Sequence, residues 1–160
     1  MSAKANLELL NDPVAQTLLN SKIPARLAYN WKDGTPRFVP IWFHWNGSEL
    51  VFGTPVTAPK AQALKDGDKV AVTIDSTEWP PKVLLIRGSI RVQAMDNTVP
   101  EYALSAERYF GPEQGRARVK QAAQLSPRNL RIALTPEHVD ILDFEKRYPS
   151  AFAKAMAAMK

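Results

Sequence analysis

Two short turn signals near the start of the chain restrict its fold more than any other feature. Asp33-Gly34 and Asn46-Gly47 separate three strand-like runs, at 24–31, 36–45 and 49–54. Both dipeptides are typical of type I′ hairpin turns, in which the two central residues take positive φ. The sequence therefore predicts three antiparallel strands connected as a meander.

Apolar and β-branched residues mark further strands along the chain. They are expected at 69–75, 83–94, 130–134 and 139–144, with Trp79-Pro80-Pro81 as the turn between the first two and Thr135-Pro136 as the turn between the last two. Six to seven antiparallel strands with hairpin turns and peripheral helices predict a mainly β fold, a small β-barrel with helical additions.

Helices are expected around these strands. The sequence predicts an N-terminal helix over about 12–20, a short helix beginning near Thr57, a helical insert over about 99–125 and a C-terminal helix over about 149–159. In the insert, Thr98 and Glu101 fit a capping box. The chain shows no repeat and no linker, so we expect one domain over 1–160 with the barrel at about 23–144.

The composition limits the chemistry. The chain has no cysteine and only two histidines, His44 and His138, so no disulfide, thiolate site or metal centre is expected. Phosphate loops, the serine-hydrolase elbow and the zinc-protease motif are absent from the sequence as well. Any redox chemistry must therefore come from a bound cofactor. The first residues lack the apolar core of a signal peptide, which favours a cytoplasmic location.

The positive charge lies in the second half of the chain. Residues 1–80 hold eight basic and eight acidic side chains, whereas 81–160 hold thirteen and eight. No acidic residue stands between Glu113 and Glu137, a stretch that contains Arg116, Arg118, Lys120, Arg128 and Arg131. This basic run is consistent with a solvated face, with a site for a small anion or a partner subunit, or with nucleic-acid binding.

The run 36–45 is apolar on both faces, because Phe38 and Trp42 alternate with residues such as Val39 and Ile41. A strand of this kind must be covered on both sides. Pro40 cannot donate to a ladder, so it is expected at an edge, a bulge or an opening. An opening would leave backbone groups of Val39 and Ile41 free to meet a ligand.

Two polar residues follow this run. Thr54 ends the next strand, and Lys60 lies in the first turn of the short helix. A hydroxyl, an ammonium group and helix N-terminal amides together suit a phosphate. The other interpretation is that Lys60 is a solvated surface lysine.

Taken in order, these motifs resemble the flavin-binding split barrels related to pyridoxamine 5′-phosphate oxidase. The resemblance covers about residues 10–95 and is carried by Ala25-Arg26-Leu27-Ala28, Asp33-Gly34-Thr35-Pro36, Val39-Pro40-Ile41-Trp42-Phe43, Leu50-Val51-Phe52-Gly53-Thr54, Lys60 with Leu64, Val70-Ala71-Val72-Thr73-Ile74-Asp75 and Arg87-Gly88-Ser89-Ile90-Arg91-Val92.

The resemblance implies a homodimer with two flavin sites at the subunit interface. The flavin ring would lie against Arg37, Val39, Pro40, Ile41 and Trp42, and Thr54 and Lys60 would hold the phosphate. Arg37 would meet the phosphate side or the ring edge. Arg87 is a candidate contact near the interface, or else an ordinary outward-facing charge of the barrel.

The implied function is an FMN-dependent oxidoreductase that transfers a hydride to or from a small organic substrate. A deazaflavin-dependent reductase, a haem-binding protein that uses one of the two histidines, and a non-catalytic cofactor-binding or nucleic-acid-binding module remain as alternatives. A true pyridoxamine phosphate oxidase is not expected, because 84–87 lacks the glutamine and 143–152 lacks the tryptophan of those enzymes.

Overall fold

The computed structural model describes residues 6–147, 155 and 157–159. The strands are β1 Ala25–Asn30, β2 Pro36–Ile41, β3 His44–Trp45, β4 Leu50–Pro55, β5 Lys69–Asp75, β6 Lys82–Asp96 and β7 Arg128–Asp143. The helices are a 3-10 turn at Leu7–Asn11, α1 Pro13–Leu19, α2 Pro59–Ala63, α3 Pro100–Phe110 and α4 Pro112–Leu125. No helix in the described part of the chain is long and apolar enough to cross a membrane.

The strands form one antiparallel sheet in the order β2-β1-β5-β6-β7-β4-β3. The mainly β architecture with peripheral helices agrees with the sequence prediction. The prediction of a three-stranded meander was wrong, because the run at 36–45 does not form one strand. Its first part, β2, pairs with β1, and its last part, β3, pairs with β4.

This division has a physical reason in the two apolar faces of the run. Only Trp42 and Phe43 separate β2 from β3, although these strands are the two ends of the sheet order. The sheet must therefore curl until its edges approach each other. The bend buries Phe43 completely in the core and leaves Trp42 packed against α3. Both faces are thus covered, as expected, but at a bend.

The turn predicted at Thr135-Pro136 was also wrong, because β7 runs unbroken past it. Arg87 pairs with His138 and Gly88 with Pro136, so Glu137 is an extra, bulged residue between them. A bulge accommodates a proline, since the ladder is locally interrupted there. The Glu137 carboxylate reaches across the sheet to the Nζ of Lys69, at 2.6 Å, and to the Ser89 hydroxyl, at 2.8 Å.

The core lies on the inner face of the sheet, and α1 covers it. Ala15, Leu18 and Leu19 of α1 are buried in the same apolar cluster as inward-facing residues of β1, β4, β5, β6 and β7. The Asp12 side chain accepts a hydrogen bond from the Val14 N–H and caps α1.

The helical insert forms as a hairpin of α3 and α4 with Gly111 between them at φ +83°. The two helices approach closely, since a Cβ at Gly115 would lie 2.7 Å from the Glu107 Cα. The prediction of a capping box at Thr98 and Glu101 was wrong. Val99 is the N-cap, no side chain caps α3, and Glu101 instead pairs with Arg131. The C-terminal helix expected at 149–159 lies almost entirely outside the described residues.

Candidate functional site

A groove of about 430 Å³ lies where the bend after β2 meets the end of β4 and the start of α2. It is lined by Pro24, Pro40, Ile41, Trp42, Gly53, Thr54, Pro55, Lys60 and Tyr102. Five residues proposed from the sequence therefore share one groove: Pro40, Ile41, Trp42, Thr54 and Lys60. They come together because the curled sheet places β2 near β4.

Thr54 contributes a buried hydroxyl to this groove. The residue is only 2% exposed, and its Oγ1 has no hydrogen-bond partner among the described residues. A buried polar group without a partner costs stability, on the order of 1–3 kcal/mol. A ligand atom that bonds to Oγ1 would remove that cost.

Lys60 contributes the positive charge. It is half-buried, and its ammonium group forms no ion pair or hydrogen bond with the described residues. Burial lowers the pKa of its ammonium group, because removal from water disfavours the charged form. An anion in the groove would stabilise that charge, so the groove is suited to a phosphate.

An aromatic stack forms one wall. The Trp42 ring stacks on Tyr109 at 5.2 Å and on Tyr102 at 5.8 Å, and it meets Phe110 edge-on at 5.0 Å. The Tyr109 hydroxyl donates to the Ile23 carbonyl at 3.0 Å, which ties α3 to the start of β1. The wall is therefore held by both packing and hydrogen bonding.

Arg108 contacts the bend at Phe43, and the sequence analysis did not predict this contact. Its guanidinium donates to the Phe43 carbonyl at 2.5 Å and lies 4.7 Å from the centre of the Phe43 ring. Burial, and then the Arg108 charge, lower the pKa of His44. These effects favour the neutral form of the His44 imidazole, which lies on the edge strand β3.

Tyr102 lines the groove, and it was not proposed from the sequence either. It packs close to β4 because Gly53 has no side chain, since a Cβ there would lie 3.0 Å from the Tyr102 Cβ. A signal was present: Tyr102 and Tyr109 are seven residues apart, which places them on one face of a helix.

Val39 does not line the groove. It packs partly buried against the core, opposite Leu27 in the ladder, and Ile41 pairs with Ala25. The opening expected at Pro40 is absent from this ladder, which pairs Pro36–Ile41 with β1 without interruption. Pro40 fits because β2 is an edge strand in the sheet order. The backbone groups of Val39 and Ile41 thus belong to the ladder.

Arg37 and Arg87 line a different depression, of about 390 Å³, which also includes Ala28 and Ala71. The Arg37 guanidinium lies 4.4 Å from the centre of the Trp31 ring. Arg87 lies 3.5 Å from Asp140. Within one chain, the structure therefore separates these two arginines from the groove that holds Thr54 and Lys60.

The basic run between Glu113 and Glu137 does not form a single cationic surface. Arg131 pairs with Glu101 at 2.6 Å, and Arg116 and Arg128 approach Glu107 and Asp96 at 3.6 Å and 3.5 Å. Arg118 lies over the Phe110 ring at 4.1 Å. Acidic residues that are distant in sequence thus neutralise much of this run.

The chain matches no protein-family model, and no curated protein sequence is significantly similar to it. Several solved structures share its fold. An F420 reductase is 23% identical, covering 78% of this chain and 94% of its own, with a TM-score of 0.58. The FAD and heme binding protein of Mycobacterium smegmatis is 20% identical, covering 99% and 80%, with a TM-score of 0.56.

A third similar structure is a protein from Clostridium acetobutylicum that is related to general stress protein 26 and belongs to the pyridoxinephosphate oxidase family. It is 16% identical, covers 87% of this chain and 91% of its own, and has a TM-score of 0.57. These matches establish the split-barrel fold and confirm the resemblance seen in the motifs.

Proposed function

We propose that this chain, which has the split-barrel fold of flavin-binding proteins, binds FMN in the groove and transfers a hydride between it and a small organic substrate. The main support for this proposal is that the unpartnered Thr54 hydroxyl and the unpaired Lys60 ammonium group line the same groove. A hydroxyl donor and a cation complement a phosphate.

Different residues of the groove would contact different parts of FMN. Lys60 and Thr54 hold the phosphate, and the exposed face of Pro40 and the ring of Trp42 provide apolar surface for a flat group. The stack on α3 keeps Trp42 in place without any ligand. When bound, FMN supplies a ring that accepts or releases a hydride, and the chain supplies binding, orientation and electrostatics.

A deazaflavin remains the second candidate cofactor, because an F420 reductase is among the proteins of this fold. The basic run at 116–131 gives it less support than the sequence suggested. Arg131 pairs closely with Glu101, and Arg116 and Arg128 lie near Glu107 and Asp96, so the run holds less unpaired positive charge than its sequence indicates. The same partners weaken the case for nucleic-acid binding.

The choice of cofactor is tested by titration of the purified chain with FMN, riboflavin and a deazaflavin. We expect FMN to bind about 10–100 times more tightly than riboflavin, since only FMN carries the phosphate. Quenching of flavin fluorescence measures each affinity. Equal binding of FMN and riboflavin, or no binding of either, would contradict the proposal, and tighter binding of the deazaflavin would replace FMN by that cofactor.

We further propose that the chain forms a homodimer through the outer face of the sheet. Phe38 is 71% exposed there and pairs across the ladders with Ala28, which in turn pairs with Ala71. Large and small apolar residues thus lie in one row. In a two-fold dimer, Phe38 of each copy can enter the depression above the alanines of the other. Arg37 and Arg87, which line this depression, would then lie at the interface.

The dimer predicts a change of mass on substitution of Phe38. Light scattering should give the wild-type protein twice the 17.8 kDa mass of one chain. F38D should have the mass of a monomer, because a dimer would bury the aspartate charge at the interface. Trp79→Asp is the control, since Trp79 is 87% exposed on a different surface. A wild-type monomer, or a dimeric F38D, would rule this interface out.

A further inference from the structure

A second pocket, which we call the helix pocket, lies between the α3–α4 hairpin and the adjoining edge of β4 and β7. Its volume is about 180 Å³. It is lined by Gly53, Pro55, Thr98, Val99, Tyr102, Ala122, Leu125, Ser126 and Asn129. Gly53, Pro55 and Tyr102 also line the groove, so the two sites are neighbours.

The helix pocket has no charged residue in its lining, and most of its polar groups already have partners. The Asn129 amide donates to the carbonyls of Asn97 and Ser126, and the Ser126 hydroxyl donates to the Arg128 carbonyl. Thr98 differs, because its Oγ1 is buried without a hydrogen-bond partner among the described residues. The Thr98 hydroxyl is therefore a buried polar group of this pocket whose hydrogen-bonding capacity is unused within the described residues.

Size and access limit what can enter. An apolar cavity of roughly 150 Å³ is known to hold a benzene molecule, so 180 Å³ suits about one six-membered ring. Leu125 lines the pocket and is 79% exposed, which means that the pocket reaches solvent. A charged ligand would lose its hydration without gaining an ionic partner.

We propose that the helix pocket is a binding site for a neutral, one-ring compound with a single hydrogen-bonding group. The ring packs against Val99, Ala122 and Tyr102, and the polar group pairs with the Thr98 hydroxyl. The lining of the helix pocket includes neither Thr54 nor Lys60, so this binding does not require a bound flavin.

The experiment uses phenol as the probe, with toluene and benzoate as matched comparisons. The full chain, without added cofactor, is titrated and observed by ligand-detected NMR. We expect phenol to bind at least five times more tightly than toluene, which lacks the hydroxyl, and at least ten times more tightly than benzoate, which is charged. Equal affinity for all three compounds, or no phenol binding at millimolar concentration, would overturn the proposal.

Two variants locate the site. Thr98→Val keeps the shape of the side chain, and we expect it to weaken phenol binding about fivefold and toluene binding less than twofold. Ala122→Leu fills the pocket and should weaken binding of both compounds at least tenfold. Ala117→Leu, on the exposed side of the same helix, is the control and should bind like the wild type.

Circular dichroism confirms that each variant is folded, and Thr98→Val decides the outcome if Ala122→Leu is not. Undiminished phenol binding in a folded Ala122→Leu, or equal losses for phenol and toluene in Thr98→Val, would refute the assignment of Thr98 and the helix pocket. These results are independent of the FMN titration, so either proposal can fail without the other.

Discussion

Replacement of Gly88 by alanine is expected to lower the free energy of unfolding by about 3 kcal/mol. A Cβ at this position would lie 1.9 Å from the Thr135 carbonyl oxygen and 2.9 Å from its carbon, both backbone atoms. The bulge at Glu137 cannot yield without separating β6 from β7, which form the longest ladder of the sheet. Urea unfolding measures the change.

Gly34→Ala is the control for Gly88→Ala. Nothing lies within 4 Å of a Cβ at Gly34, but its φ of +84° is unfavourable for alanine. This variant should lose about 1 kcal/mol, from backbone conformation alone. If Gly88→Ala lowered the free energy of unfolding by no more than Gly34→Ala does, the ladder would be able to open at the bulge.

Replacement of Lys60 by glutamine is expected to weaken FMN binding about 10–100-fold. The phosphate would lose its cationic partner in a half-buried site, where water replaces that partner poorly. Riboflavin affinity should stay within twofold of the wild-type value, because riboflavin has no phosphate. Fluorescence titration of the two flavins against the variant and the wild type provides the measurement.

Two further variants separate charge from shape. Lys60→Arg keeps the charge and should retain most of the FMN affinity. Thr54→Val removes the unpartnered hydroxyl, so it should weaken FMN binding about tenfold yet leave the free energy of unfolding equal or higher. If Lys60→Gln lost riboflavin and FMN affinity equally, Lys60 would shape the groove rather than bind a phosphate.

The pH dependence of FMN binding follows from the same lysine. Burial lowers the pKa of Lys60 in the free protein, so its charge is lost at a lower pH than that of an exposed lysine. Bound phosphate favours the charged form, so FMN affinity should fall as the pH rises through that pKa. Lys60→Arg should hold its affinity to higher pH, since guanidinium stays charged. Identical profiles for the two proteins would argue against the assignment.

Local patterns predicted most of the secondary structure. The helices expected over about 12–20 and 99–125 match α1 and the α3–α4 hairpin, and the two turn dipeptides mark the hairpins β1–β2 and β3–β4. Each depends on conformational preferences of a few neighbouring residues, which need no knowledge of the rest of the chain. The type I′ turn expected at each dipeptide was wrong, because only Gly34 and Gly47 take positive φ there. Thr98 does not cap α3, whose N-cap is Val99, and Glu101 pairs instead with Arg131, a residue thirty positions away.

In the candidate site, too, local patterns predicted some residues, whereas contacts between distant residues decided the others. The motifs indicated Thr54 and Lys60, whose residue types suit a phosphate at any position. Tyr102 and Arg108 were not predicted, because only the docking of α3 on β3 and β4 brings them to the bend. Arg37 and Arg87 were grouped with the groove by the resemblance, and within one chain they line a different depression.

The amino-acid sequence by itself determined that the chain is mainly β, where most of its strands and helices lie, and that any redox chemistry needs a cofactor. Tertiary structure decided that 36–45 bends between the two edges of the sheet, that Pro136 lies in a bulge and that three arginines of the basic run lie beside acidic residues. These outcomes depend on which distant residues come into contact. Burial of Phe43 and pairing of Arg131 with Glu101 lower the free energy only in the folded chain.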